Sequence, residues 1–301
     1  MVMLRRCKVI LNAMIYCVLL FYLLNRVLPG KQSANQYHNC LSQSIPYISN
    51  PLETAEMLFY TNNSFIRYGD SEVLLILGGS EPFQKQSQSL STHLSRAFLD
   101  PDPTLMIGLY DCFSGFPQWR KGAVDWWHKE QRAYYKWVVD NYDAKRQYYS
   151  AMLSSTYVHT FGTQCALLEQ IYHTLREIWR GKDIVLVKGD NGQHFDYDVY
   201  DTARSKRTYI VPRYHAWNVY ETAKVQLLNE PIDKLFILTA GPLSRVLVYD
   251  LAKSGRRALD LGHLAKDYDF FMKAQQPVPH IFYERDEVVR ESDASNRIYI
   301  V

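Results

Sequence analysis

Short apolar runs alternate along this chain with longer amphipathic stretches. Phe65–Tyr68, Leu105–Leu109, Ile184–Val187, Tyr209–Val211 and Leu235–Leu238 are compact, mostly hydrophobic blocks of strand length. Continuous blocks of this kind mark strands buried on both faces. Gln88–Leu99, Ala123–Val139, Cys165–Trp179, Trp217–Leu228 and Leu243–Lys253 instead repeat apolar positions every three or four residues, as amphipathic helices do. A further short run, Ala258–Leu261, leads into Gly262-His263. Strand and helix in alternation predict an α/β fold, a mostly parallel sheet with helices on both faces. No linker, charge block or repeat interrupts the chain after residue 51, so one domain is expected.

The first thirty residues break this pattern. Val9–Leu24 is apolar except for Asn12, with Arg5, Arg6 and Lys8 before it and Arg26 and Lys31 after it. The run falls short of the roughly 20 residues of a comfortable bilayer span, which leaves a signal peptide and a membrane anchor open. It ends Leu23-Leu24-Asn25-Arg26-Val27-Leu28-Pro29-Gly30, without the small residues of a cleavage site, and this favours an uncleaved transmembrane helix. Basic residues ahead of the run favour a cytosolic N-terminus. The expected order is a cytosolic tail over 1–8, an anchor over 9–25, a polar stem over 26–50 and a globular domain over 51–301. The membrane is then a partner, held through the N-terminal helix of a single-pass type II protein.

Composition narrows the classes. With 301 residues, 47% of them hydrophobic, the chain can bury a core without disulfide staples. A net charge of +3 and the lack of any long Lys/Arg block argue against nucleic acid as a partner. The 23 tyrosines and 6 tryptophans suit a protein that stacks aromatic faces on sugar C–H groups, although ordinary core and surface positions account for them too. Cys40, Cys112 and Cys165 are the cysteines outside the anchor region; they lack metal-site spacing and allow one disulfide at most. Together with the sequon Asn62-Asn63-Ser64 they permit a secretory compartment without demonstrating it.

Candidate chemistry gathers where strands end. In open α/β sheets, ligands bind outside the carboxyl ends of the strands. Arg67-Tyr68-Gly69-Asp70-Ser71-Glu72 closes the first strand; Gly69 lets a ligand approach the backbone. Asp70 and Glu72, read as a tight turn, can offer oxygen ligands to Mn²⁺ or Mg²⁺. Arg67 could hold a phosphate or simply pair with these acids. Lys188-Gly189-Asp190 ends another strand, Asp190 as a base, a ribose ligand or a capping residue. Gly241-Pro242 opens a helix whose N–H groups could receive a phosphate. Asp260-Leu261-Gly262-His263 sets an acid and a histidine at a further strand end, and His263, like His215 after Pro212, is either structural or a base and phosphate partner. Walker, dinucleotide, nucleophile-elbow and zinc-protease motifs are absent from the sequence.

Taken in order, Phe65–Glu72, Pro82–Lys85, Gly181–Asp190, Gly241-Pro242 with Val248–Ala252, and Ala258–His263 resemble the GT-D-fold glycosyltransferases, over about residues 52 to 272. The resemblance implies a Rossmann-like domain that moves a sugar from a nucleotide donor, typically UDP-linked, to a glycan or glycoconjugate acceptor. It implies a metal at Asp70 and Glu72; from the residues themselves, Arg67, Gly69, Lys188, Gly189, Gly241 and Asp260 are expected around the donor, and Asp190 and His263 are candidates for activating the acceptor or placing the donor. Three departures stand out: Ser71 where Gly is usual, Asp190 where Glu is common, and Leu243 in place of Thr, with Arg245 close by. Anchor, stem and catalytic domain in that order suggest a Golgi or other secretory lumen, with a bacterial membrane as the alternative. A catalytically silent glycan binder and a metal-dependent phosphohydrolase use the same residues and remain open.

Overall fold

The structure, a computed structural model, describes residues 45–113, 119, 121–159, 165–190, 195–274 and 297–300. Eight strands form one sheet: β1 (Ser64–Tyr68), β2 (Leu105–Leu109), β3 (Tyr148–Ser150), β4 (Asp183–Gly189), β5 (Ser205–Val211), β6 (Leu235–Thr239), β7 (Ala258–Asp260) and β8 (Arg297–Tyr299). Their order is β3-β2-β1-β7-β6-β4-β5-β8, and every neighbouring pair is parallel. All residues of β1 and β2 are buried, which explains their lack of polar alternation: helices cover both faces.

The helices are α1 (Pro51–Tyr60), α2 (Asp70–Ile76), α3 (Gln88–Leu99), α4 (Lys121–Asn141), α5 (Thr156–His159), α6 (Cys165–Trp179), α7 (Tyr220–Leu228), α8 (Pro242–Lys253) and α9 (Leu264–Ala274). Val73, Phe98, Trp137, Leu227 and Val246, from α2, α3, α4, α7 and α8, share one core with Ile66, Val185 and Val187. Leu58, Trp179 and Phe271, from α1, α6 and α9, share the second with Phe65 and Ile184. Adjacent strand residues thus feed opposite cores, as a period of two requires.

Several elements escape the hydrophobic pattern. β3 and β8 are three residues each, too short to show a period. Residues 45–50, expected in the stem, run beside β3: Ile48 bridges Tyr148, and the Ser49 N–H donates to the Tyr148 carbonyl at 3.1 Å. Gly69–Glu72 is not a free turn but the start of α2, where the Gly69 N–H donates to Glu72 Oε2 at 2.8 Å and so gains the partner that helix starts lack.

The expected transmembrane helix requires correction. Among the described residues no helix is long and apolar enough to cross a membrane. The longest described helix, α4, has 21 residues but carries Lys121, Asp125, Arg132, Lys136 and Asp140, and such charges are costly in hydrocarbon. The apolar run at 9–25 lies outside the described residues, as do the tail and stem as far as residue 44. The N-terminal helix as part of the fold, the membrane as a partner, the type II topology, and the Golgi or bacterial-membrane placement are therefore withdrawn.

Connectivity places the site. From β1 the chain winds outward through β2 to β3, crosses to β4 and β5, and returns through β6 to β7 beside β1. The winding reverses between β1 and β7, so the loops after these two strands diverge and flank a crevice. Gly69 follows one strand and Leu261-Gly262-His263 the other.

Candidate active site

A cleft of about 970 Å³ opens along the carboxyl ends of β1, β4, β6 and β7 and continues over Leu186, Lys206 and Thr208 of β4 and β5. Of the residues singled out from the sequence, Arg67, Gly69, Asp70, Glu72, Lys188, Gly189, Gly241 and His263 line it. Asp260 is fully buried behind Arg67. Asp190 stands exposed at the end of β4, its N–H donating to the Val211 carbonyl at 2.8 Å, and is not a lining residue.

Beneath the crevice lies a buried chain of charges. Arg67 Nη2 pairs with Asp260 Oδ1 at 3.2 Å, while its Nε donates to the Asp260 carbonyl at 3.2 Å. Arg245, on the first turns of α8, reaches Asp260 Oδ2 with Nε at 3.2 Å and Glu72 Oε1 with Nη2 at 3.1 Å. Its Nε also donates to the Arg67 carbonyl at 3.0 Å and its Nη1 to the Gly241 carbonyl at 2.6 Å. Burial alone lowers a guanidinium pKa, but Asp260 and Glu72 outweigh it and raise that of Arg245. Two acids and two arginines thus compensate one another where an unpaired charge is not tolerable. The salt bridge considered for Arg67 is present, but its partner is Asp260 rather than Asp70 or Glu72.

This arrangement tests the metal expectation. Glu72 is buried and uses both oxygens, one on Arg245 and one on the Gly69 N–H. It does not fit as a direct cation ligand in this arrangement. Asp70 lines the cleft at the first position of α2 and fits that task. Among the described residues no group of three or more His, Cys, Asp or Glu could hold a metal by itself. One carboxylate together with donor phosphate oxygens matches the way Mg²⁺ and Mn²⁺ are usually shared with a nucleotide.

Two further side chains had no site role read from the sequence, Arg245 being noted only as a neighbour of Leu243. Arg245 is a lone cation in the otherwise buried stretch Pro242–Tyr249, and a buried arginine demands a carboxylate partner; that was its signal. Glu81 lines the cleft half-buried, with Oε1 buried and lacking a hydrogen-bond partner among the described residues. Burial raises the Glu81 carboxyl, the backbone of Phe83 opposes this, and the charges of Glu72 and Asp70 add to the rise. Glu81 offers no sequence signal, because a lone Glu before Pro reads as a loop.

His263 moves the other way. It stands exposed at the cleft wall, yet surrounding protein and the cations Arg67, Lys266 and Arg245 lower its imidazole to about 4, against the pull of Asp260. Water reaching the ring weakens the burial part of this shift, but the cations keep its direction. The ring is neutral at pH 7, able to donate from one nitrogen and accept at the other.

Residues 65–283 match the family described as Glycosyltransferase GT-D fold. "Probable glycosyl transferase Gly" of Streptococcus gordonii is 30% identical over 224 residues, 73% of this chain and 32% of that protein. "Glycosyltransferase GlyD" of Streptococcus pneumoniae serotype 4 is 24% identical over 221 residues, 72% of this chain and 27% of that protein. The chain therefore spans about a third or less of the length of these relatives. Among solved structures, "A New Glycosyltransferase (DUF1792) from Streptococcus sanguinis" superposes with a TM-score of 0.76 at 24% identity, covering 85% of this chain and 99% of that one. "The highly conserved domain of unknown function 1792 has a distinct glycosyltransferase fold" superposes equally well at 22% identity, a likeness that concerns the fold alone. With the family matched across most of the described domain, the chain belongs to the GT-D-fold glycosyltransferases.

Proposed function

We propose that this chain transfers a sugar from a nucleoside-diphosphate sugar, UDP-linked, to a hydroxyl of a glycan or glycoconjugate. One observation carries the reading: a single crevice at the winding reversal holds the carboxylate of Asp70, the amino end of α8 at Gly241, and Lys188. An anionic diphosphate suits the helix end and the lysine. The cation Mn²⁺ or Mg²⁺, shared between Asp70 and the phosphates, would supply positive charge to the departing diphosphate.

The chain's own residues do the rest. Asp260 and Arg245 hold Arg67 against the crevice wall, so its guanidinium is already ordered when the donor binds. Glu72 acts through Arg245, locking α8 to α2 and so fixing Gly241 relative to Asp70. Gly69 and Gly189 keep two strand ends open to a close approach of the donor. Neutral His263 is suited to hydrogen-bond and place the donor; a group near pKa 4 is a weak base at pH 7. Asp190, outside the lining, takes no part in this reading.

The test is to incubate the chain with Mn²⁺ and a panel of UDP-sugars, with and without simple glycosides, and to follow free UDP. Slow release lost in Asp70→Ala and after chelation supports transfer chemistry. Release untouched by Asp70→Ala sinks it, and inorganic phosphate released from nucleotides points to a phosphohydrolase instead.

A further inference from the structure

Two loops clasp each other at the rim of the cleft. Glu81 and Gln84 form an isolated antiparallel bridge, with N–H to O distances of 3.0 and 3.2 Å, which turns Phe83 outward. Across from it, His215 has φ 55° and ψ 41°, the one left-handed non-glycine backbone among the described residues. Its N–H donates to the Phe83 carbonyl at 2.7 Å, and its Nδ1 accepts from the Lys85 N–H at 3.2 Å. Buried Gln84 adds a third tie, accepting from the Trp217 N–H at 3.2 Å. Backbone strain of this kind persists only where the surroundings over-determine it, and it gathers at functional sites.

What the clasp holds up is an aromatic shelf. Phe83 and Tyr214 are stacked with ring centres 5.7 Å apart, yet 44% and 54% exposed. The guanidinium of Arg213 lies 5.7 Å from the first ring centre and 5.5 Å from the second. Phe83, Arg213 and Glu81 all line the cleft. Burial of apolar surface does not account for two large rings braced in water by three cross-loop hydrogen bonds.

We propose that this clasp is the acceptor subsite: a neutral sugar ring of a glycan packs on Phe83 and Tyr214, and Arg213 and Glu81 take its hydroxyls. The inference rests on the reading that the cleft moves a sugar. Aromatic faces bind the C–H face of a sugar, while flanking charged groups bind its hydroxyls. Glu81 lines the cleft beside Phe83, and a carboxylate there accepts hydrogen bonds from sugar hydroxyls. The Glu81 carboxylate beside the shelf favours an uncharged, hydroxyl-bearing ring over an anionic group.

The experiment is saturation-transfer NMR with methyl glycosides of glucose, galactose and N-acetylglucosamine, alongside calorimetry with UDP. The chain should pass saturation to the ring protons of at least one glycoside. Phe83→Ala and Tyr214→Ala should each weaken that binding about fivefold, Phe83→Trp should restore it, and UDP affinity should not move. Both rings are exposed, so the fold survives their removal. Unchanged glycoside binding in both alanine variants overturns the proposal, as does failure of the unaltered chain to bind any of the three. Loss of UDP binding in the same variants also overturns it, because the shelf then holds the nucleobase. Glycoside binding through the shelf without any UDP-sugar turnover supports the sugar shelf and refutes the transfer reading alone.

Discussion

Gly262→Ala is the sharpest probe of the buried charge chain, because it touches Arg67 without altering any charge. Gly262 has φ 39°, and a Cβ built there would lie 1.7 Å from Arg67 Nη2 and 2.5 Å from its Cζ. A left-handed residue bearing a Cβ costs about 1–2 kcal/mol. The guanidinium must also give way; it can swing toward the cleft and meet water, so the overlap itself is relieved. What is lost is the 3.2 Å contact to Asp260 Oδ1, and a hydrogen bond to a charged group is worth about 1.5–3 kcal/mol. Asp260 keeps Arg245, which holds the sum to about 3–4 kcal/mol rather than the full cost of an orphaned buried charge. Gly255→Ala is the control: φ is 79°, but the nearest atom to its Cβ is Ile232 Cδ1 at 3.7 Å, so only the backbone cost of about 1–2 kcal/mol applies. Urea unfolding followed by tryptophan fluorescence should place Gly262→Ala about 2 kcal/mol below Gly255→Ala at unchanged m-value. Equal losses in the two variants would refute the claim that Gly262 is kept clear for the Arg67 guanidinium.

Two other outcomes follow from the same site. Arg245→Leu leaves Glu72 and part of Asp260 buried without compensation and should cost about 3–5 kcal/mol; Arg245→Lys should recover little, since one ammonium cannot span Glu72, Asp260 and the two carbonyls. A near-neutral urea midpoint for the leucine variant would contradict the chain of pairs. His263 has its imidazole lowered from 6.5 to about 4 in the folded protein, so the unfolded chain binds its proton first as pH falls. Its contribution to stability is complete above about pH 6.5 and is lost on acidification toward pH 4. Thermal midpoints across that window should fall less steeply in His263→Gln, and identical slopes would show that the ring is not held neutral.

The parallel sheet was legible because five strands are written as mostly apolar blocks, and several of their ends line the cleft. Less could be read where an element is short or its partners are distant. α2 carries the most important difference: Gly69-Asp70-Ser71-Glu72 has the composition of a turn, and only the return of Glu72 to the Gly69 N–H makes it the start of a helix. Asp260 looked like a ligand residue, yet it is a buried counter-ion, because Arg67 and Arg245 approach it from two other elements. Sequence spacing cannot report such a meeting across some 190 residues. Phe83 shows the same limit, since it is an ordinary loop residue until His215, whose structural alternative the hydrogen bonds support, is beside it.

The helical start of α2 divides the labour of the two acids. Residues two apart on a helix point about 160° apart, and with both Glu72 oxygens engaged the proposed ion is left to Asp70. Glu72 turns inward to Arg245, and Asp70 stays on the cleft. With Arg67 and Asp260 added, the buried layer sums to no net charge, and it contributes order more than potential. The field a ligand meets is then set by outer residues, among them Glu81 and Arg213 at the loop clasp and Asp70, Lys188 and Lys266 elsewhere on the wall. In the proposed reading the donor's diphosphate meets Lys188 and a cation held by Asp70, and a neutral acceptor meets the opposite charges of Glu81 and Arg213 at the clasp. The electrostatic character of the cleft lies in such outer side chains, on a scaffold whose buried charges cancel.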